Sequence, residues 1–395
     1  MSQEFADLAE TPSFQHLAPA LRVFCGQNSL ASMGRELARL GCKRAAIVCG
    51  ASLARNQSQM ALVLEAVSER AAGVIAGAVE HSPVDSVLEV AQQLRGLQAD
   101  AVIAVGGGSA IVTARAAGIV LAEGTQVSRL CSQKNASGQW VSPRLDQPKL
   151  PQFVVPTTPT TACVKAGSAV LDVGTGQRLT LFDPKTRAQA LFVHPEMLST
   201  APESLMLSAS MNVLAMAVEG LESPQAHAFS DALLMQSLRM LSEHLPQAEN
   251  VASRSQLMLA AALCGQGTDF GGAGMASVLG HAMGHSQGVA NGLINAVVLP
   301  HTMRFNAPAT ARGVSNVAVA LGAASHPRPG FEEAIARVES LLDAMRLPRR
   351  LRDLGIPSTV LPGVAEKGMS DWFIQRNPRP VQGPSDLLAV LEAAW

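Results

Sequence analysis

Over the first half of the chain, short apolar runs alternate with longer amphipathic stretches, and this rhythm ends near residue 194. The apolar runs predict strands over 21–25, 44–49, 72–78, 101–105, 153–155 and 190–193. Between them, helical segments are expected over 30–40, within 51–70 and over 84–97, with another opening near 109. A hairpin is expected from 167–171 and 178–182 around Gly174-Thr175-Gly176. Residues 123–151 loosen into a surface excursion marked by Gly138, Trp140, Pro143 and Pro148. Strands alternating with helices of this length imply a mostly parallel, layered α/β sheet with right-handed crossovers.

Beyond 194 the pattern is helical, with apolar periodicity over 203–221, 226–245, 251–264, 272–283, 293–306, 331–345 and 364–375. The expected organisation is an α/β domain over 1–194, led by a loosely ordered arm over 1–20, and a mainly α-helical domain over 195–395. A cleft between two such domains is a common place for a cofactor.

Composition narrows the function. With 395 residues, 48% apolar and 15% charged, and a formal net charge of -1, the composition argues against a nucleic-acid binder, which would need a basic face. The six cysteines are scattered without a C-x-x-C pair, as expected of reduced structural thiols in a cytoplasmic protein. The N-terminus shows no basic-then-apolar signal pattern, and no uninterrupted apolar segment reads as a membrane span. Tyrosine is absent, which excludes a tyrosine proton donor.

Candidate chemistry centres on 101–116, AVIAVGGGSAIVTARA. An apolar strand runs into Gly106, Gly107, Gly108 and Ser109 and then a helix. Such a turn lets backbone approach an anion, and the free N–H groups of the helix start can hold a phosphate. The same glycines also suit a packing turn without a ligand. It is not the G-x-G-x-x-G arrangement of an ordinary dinucleotide fold. The strand over 153–155 ends in Pro156-Thr157-Thr158-Pro159-Thr160-Thr161, which fits either a phosphate- or ribose-binding loop or a proline-stiffened turn. His281 and His285, four residues apart, can share one helical face, as a reactive pair or as satisfied cavity histidines.

Taken together, these segments resemble the iron-containing alcohol dehydrogenase family over nearly the whole chain. That family's GGGSxxDxAK loop is matched by Gly106 to Arg115, with Val112 and Arg115 in place of its Asp and Lys. Its PTTxxTGSE loop begins as Pro156-Thr157-Thr158 and then departs, and its His-rich helix appears as Gly280-His281-Ala282-Met283-Gly284-His285. A partial resemblance to the maleylacetate reductase branch rests on His81-Ser82-Pro83-Val84, Ser210-Met211-Asn212, Ala217-Val218-Glu219-Gly220, Leu351 to Gly355 and Asn377-Pro378-Arg379-Pro380.

The resemblance implies a dehydroquinate synthase-like fold, with a dinucleotide-binding domain followed by a helical one. It also implies an oxidoreductase using NAD or NADP on a small alcohol, aldehyde or ketone, and a homo-oligomer. Gly106, Gly107, Gly108, Ser109, Thr157 and Thr158 would contact the cofactor, with His281 and His285 catalytic. Metal-dependent members hold Fe²⁺ or Zn²⁺ with one Asp and three His. Here those positions read Asn212, Met216, His281 and Asn291. A neutral amide and a thioether replace carboxylate and imidazole poorly, so no tightly bound metal is expected, and Met216 is expected in the core. A carboxylate-bearing substrate, the alternative, would need inward-facing cations, for which Arg115 and Arg304 are candidates. A non-catalytic nucleotide-binding or structural homologue is the third expectation.

Overall fold

The computed structural model describes residues 13–395, with the side chain of His285 excepted, so most of the arm expected over 1–20 lies outside the described residues. The sheet comprises β1 (Arg22–Cys25), β2 (Ala45–Gly50), β3 (Ala71–Ala78), β4 (Ala101–Gly106), β5 (Gln152–Pro156) and β8 (Ala188–Val193). Before β8, an antiparallel hairpin is formed by β6 (Gly167–Asp172) and β7 (Gln177–Phe182). Strand order across the parallel sheet is β1-β8-β5-β4-β2-β3. The chain therefore steps outward from β2 to β3 and returns across β2 to β4. That reversal opens a crevice at the carboxyl ends of β2 and β4, where ligands of open α/β sheets bind.

Both faces of the sheet are covered, which is why its strands read as continuous apolar runs. Ile47, Ile103, Val105, Phe153 and Phe192 pack on one side against Met33 and Leu37 of α1 (Met33–Arg39) and Met60 and Val63 of α2 (Gln57–Val67). The alternate residues Ala46, Val48, Val102, Ala104 and Val154 face Val90 and Leu94 of α3 (Val84–Gly96) and Ile111 of α4 (Gly108–Glu123). Burying each of the larger side chains stabilises the fold by roughly 1.5–3 kcal/mol.

The helical half begins after β8 and is built on α5 (Glu203–Glu222). By length and composition α5 could cross a membrane, but 67% of its most apolar stretch is buried in the protein. It packs against α6 (Ala228–His244), α7 (Val251–Gly267), α8 (Met275–Gln287), α9 (Asn291–Asn306) and α10 (Ala311–Ala320). Helices α11 (Phe331–Ala344), α12 (Leu361–Gly368) and α13 (Pro384–Ala394) complete it. Two of these, α10 and α13, were not anticipated from the pattern. The single helix expected over 364–375 is instead α12 followed by a separate 3₁₀ turn, Trp372–Arg376. Asp371 causes the break: its carboxylate accepts the Phe373 N–H at 2.9 Å and caps the turn.

Two of the segments that carry the maleylacetate reductase resemblance, those of Glu219 and Asn377, meet in one buried network. Glu219 accepts the Ser277 backbone N–H at 3.0 Å and the Ser277 hydroxyl at 2.6 Å. Asn377 donates to Asn306 Oδ1 at 2.7 Å, and Asn306 donates to Glu222 Oε2 at 3.1 Å. Asn377 also accepts the Met275 N–H at 3.2 Å, which ties the start of α8 to the C-terminal region. Those motifs are thus scaffold beneath the candidate site.

The other Glu222 oxygen has no hydrogen-bond partner, and burial pushes this carboxyl up from 4.5 to about 8. Folding favours its protonated form, so the contribution is full below about pH 4.5 and is lost as pH rises toward 8. Glu222→Gln keeps the site neutral. Its melting temperature, relative to wild type, is expected to rise by several degrees between pH 5 and pH 8.5, measured calorimetrically. An equal difference at both pH values would show that Glu222 does not titrate in this way.

Candidate active site

The glycine turn and the threonine loop meet because β4 and β5 are neighbours, with Gly106 opposite Pro156 in the register. Thr157 then donates its backbone N–H to the Gly106 carbonyl at 3.1 Å. Gly106 has φ +144°, a conformation that favours glycine. A Cβ on Gly107 would lie 2.9 Å from Thr158 Oγ1, and one on Gly108 would lie 3.2 Å from Thr160 Oγ1. Helix α4 starts here with no side-chain cap at its N-terminus. This is a glycine-lined cradle with free helix-start N–H groups and flanking hydroxyls, and it fits the pyrophosphate of a dinucleotide. At the end of β2, Gly50 leads into Ala51–Ala54, where Ser52 and Arg55 are exposed and no carboxylate stands.

Beside this cradle lies a cavity of about 780 Å³, bordered by Val112, Thr160 and Thr161 on the sheet side and by α5, α8 and the C-terminal segment on the other. Gly106 to Ser109, Thr157 and Thr158 do not line it; the threonine loop connects the two. His281 does line it, and its Nδ1 lies 3.0 Å from Asp371 Oδ2. Burial, reinforced by the Arg178 charge, holds the His281 imidazole below its ordinary pKa against the opposing pull of Asp371. His285 occupies the next turn of α8, and its side chain is outside the described residues.

The four positions corresponding to the family's metal ligands all line this cavity, but as two amides, a thioether and one imidazole. Asn212 and Asn295 are hydrogen-bonded amide to amide at 2.9 Å, and Met216 Sδ accepts weakly from Asn212 Nδ2 and Thr161 Oγ1, each at 3.7 Å. Gly280 and Gly284 on α8 press against Asn295 and Asn291 of α9, leaving no room for side chains there. Among the described residues, no three His, Cys, Asp or Glu side chains converge as a metal site. Met216 packs against the core as expected, at its edge, and also borders the cavity.

The two arginines suggested as inward-facing cations are elsewhere. Arg115 is buried and donates to the carbonyls of Gly167 and Ala162. Arg304 pairs with Glu339 at 2.8 Å on a different face. The cations that line the cavity include Lys165, Arg178 and Arg376, none of which stands in a recognisable motif. Lys165 Nζ donates to Thr268 Oγ1 at 2.9 Å and lies 3.8 Å from Asp269 Oδ1, whose partner oxygen is held at 2.6 Å by Arg187. Burial pushes the Lys165 ammonium down to about 8, with the nearby Asp269 charge opposing part of the shift. Arg376 stacks on Trp372 at 4.9 Å.

A doubly wound sheet with a phosphate cradle at its switch point, facing a helical half across a cavity, is an arrangement in which open α/β sheets bind nucleotides. Residues 19–195 match the iron-containing alcohol dehydrogenase family and residues 206–395 match the C-terminal region of the same family. The chain belongs to the iron-containing alcohol dehydrogenase family. It is 25% identical to the NAD-dependent methanol dehydrogenase of Bacillus methanolicus, over 93% of this chain and 97% of that protein. It is 29% identical to maleylacetate reductase 2 of Cupriavidus pinatubonensis, over 95% and 94%. The structure of an alcohol dehydrogenase from Oenococcus oeni superposes with a TM-score of 0.88 at 21% identity, covering 97% of this chain and all (100%) of the other.

Proposed function

We propose that this protein is an NAD(P)-dependent oxidoreductase that interconverts an alcohol and a carbonyl compound without a tightly bound metal. The observation that carries this reading is the pairing of an intact phosphate cradle with a cavity whose ligand positions hold Asn212, Met216 and Asn291. When bound, the nicotinamide supplies or accepts the hydride. The chain's own part is to hold the pyrophosphate at Gly106 to Ser109 and Thr157-Thr158, to exclude water, and to manage the proton at the carbonyl oxygen. Without a carboxylate after β2, a 2′-phosphate meets no like charge, so NAD and NADP are both accommodated.

The test is elemental analysis combined with chelation. Purified protein is expected to carry far less than one Fe or Zn per chain, and chelator treatment to leave both dinucleotide affinity and turnover unchanged. Near-stoichiometric metal, with activity restored only by that metal, would overturn the metal-free reading. Dinucleotide binding without turnover on any alcohol or carbonyl tested would favour the binding-protein reading.

A second reading refines the substrate. Lys165, Arg178 and Arg376 line the cavity, and Asp269 is already engaged by Arg187, which leaves the wall facing His281 positively charged. Such a wall suits a carbonyl compound that also carries a carboxylate or a similar anionic group.

A further inference from the structure

The cavity needs a group to take up and return the proton of the reacting oxygen, and one pair in it is built for that task. His281 comes from α8, whereas Asp371 comes from the loop between α12 and the Trp372–Arg376 turn, 90 residues further along the chain. Both carboxylate oxygens of Asp371 are engaged: Oδ1 by the Phe373 N–H at 2.9 Å and Oδ2 by His281 Nδ1 at 3.0 Å. The carboxylate is therefore pinned by the turn it caps, and it points a fixed acceptor at one ring nitrogen. Phe373, its ring centroid 6.0 Å from that of His281, borders the imidazole.

We propose that Asp371 is a positioning residue that fixes His281 as the Nδ1–H tautomer, leaving Nε2 to exchange a proton with the substrate oxygen. This rests on the oxidoreductase reading above. In the oxidation direction the hydroxyl proton passes to Nε2 as the carbon's hydride leaves to the oxidised nicotinamide, and the C–O single bond becomes a carbonyl. The imidazolium so formed keeps Nδ1–H against the Asp371 carboxylate. In reduction the same proton returns to oxygen as the carbonyl carbon gains a hydride from the reduced nicotinamide. Asn212, Asn295 and Met216 are neutral and cannot take this proton near neutral pH. The arrangement uses the logic of a histidine oriented by a buried carboxylate.

The charges around the pair are consistent with it. Arg178 on the hairpin, Lys367 on α12, Arg376 on the 3₁₀ turn, and Lys165 with Asp269 all line the same cavity. Burial opposes the charge on Asp371, but the hydrogen bonds from His281 and the Phe373 N–H, with the Arg178 charge, together hold the carboxyl below its ordinary value. A neutral imidazole beside an ionised carboxylate is the state that proton uptake in the oxidation direction requires.

Asp371→Asn is a suitable probe because asparagine also caps a turn, so the fold is expected to survive. The tautomer of His281 is read by ¹⁵N–¹H correlation NMR in protein without substrate, and turnover is read separately. Wild type is expected as the Nδ1–H form and Asp371→Asn as the Nε2–H form, because the cap keeps the asparagine oxygen on the Phe373 N–H and turns its NH2 toward Nδ1. Turnover is expected to fall about 100-fold with KM little changed, and Asp371→Glu to recover part of it. An unaltered tautomer in Asp371→Asn overturns the positioning role. An altered tautomer with unaltered turnover overturns its use in catalysis. If wild type neither binds dinucleotide nor turns over, the oxidoreductase reading fails, and the catalytic role fails with it, whereas the tautomer result reports separately on the pair.

Discussion

Gly107→Asp is expected to weaken the affinity for either nicotinamide dinucleotide by about 100-fold or more while leaving the protein folded. Gly107 has φ -79° and ψ -167°, which an aspartate adopts without strain; the left-handed glycine is its neighbour Gly106. Aspartate is also a favoured residue before a helix, so the start of α4 would be stabilised rather than lost. The carboxylate would take the helix-start N–H groups offered to the pyrophosphate and place a negative charge beside its negative oxygens. At about 4 Å, two such charges repel by about 4 kcal/mol at an effective dielectric of 20, equal to roughly three decades in affinity. The new Cβ, 2.9 Å from Thr158 Oγ1, adds a steric cost that Gly107→Ala measures alone. Calorimetric titration of NADH and NADPH against the three proteins decides the matter, with melting curves confirming that each is folded. Unchanged affinity in the aspartate variant would show that the loop at 106–109 is a packing turn.

The sheet was legible because its strands are buried on both faces, which writes them as apolar runs such as 101–105 with no competing pattern. The helix over 364–375 misled because periodicity registers apolar spacing and does not register a side chain that prefers to cap. Asp371 stops the helix by bonding the Phe373 N–H, and the same bond sets it in front of His281. His281 was visible through its repeat with His285 at 285, but its partner lies 90 residues downstream with nothing local to announce it. The cavity cations were missed for the same reason. Lys165 follows the threonine loop, Arg178 sits in an exposed hairpin and Arg376 ends a turn, and only the packing of the halves gives them one wall. Arg115 looked available as a charged residue in a functional motif. Its guanidinium is instead spent on the carbonyls of Gly167 and Ala162, a structural duty that composition cannot reveal.

Lys165→Met is expected to raise KM for an oxo acid by roughly 10- to 100-fold and to leave KM for a neutral aldehyde of similar size almost unchanged. The range is that of one partly desolvated, charge-assisted hydrogen bond, about 1.5–3 kcal/mol. The substitution keeps most of the side chain's apolar volume, and Asp269 retains its 2.6 Å pair with Arg187, so no carboxylate is stranded. The pH dependence supplies a second and sharper readout. The Lys165 ammonium is pushed down to about 8, so it is charged below that pH and neutral above it. For wild type, kcat/KM on the oxo acid should therefore fall as pH rises through about 8, because this ratio reports ionisations of the free enzyme. Lys165→Met should abolish that limb for the oxo acid, while the neutral aldehyde shows no such limb in either protein. A loss of activity that is equal for both substrates would assign Lys165 to the scaffold. A limb near pH 8 that persists in the methionine variant would assign the titration to another group and remove the support for an acid-bearing substrate.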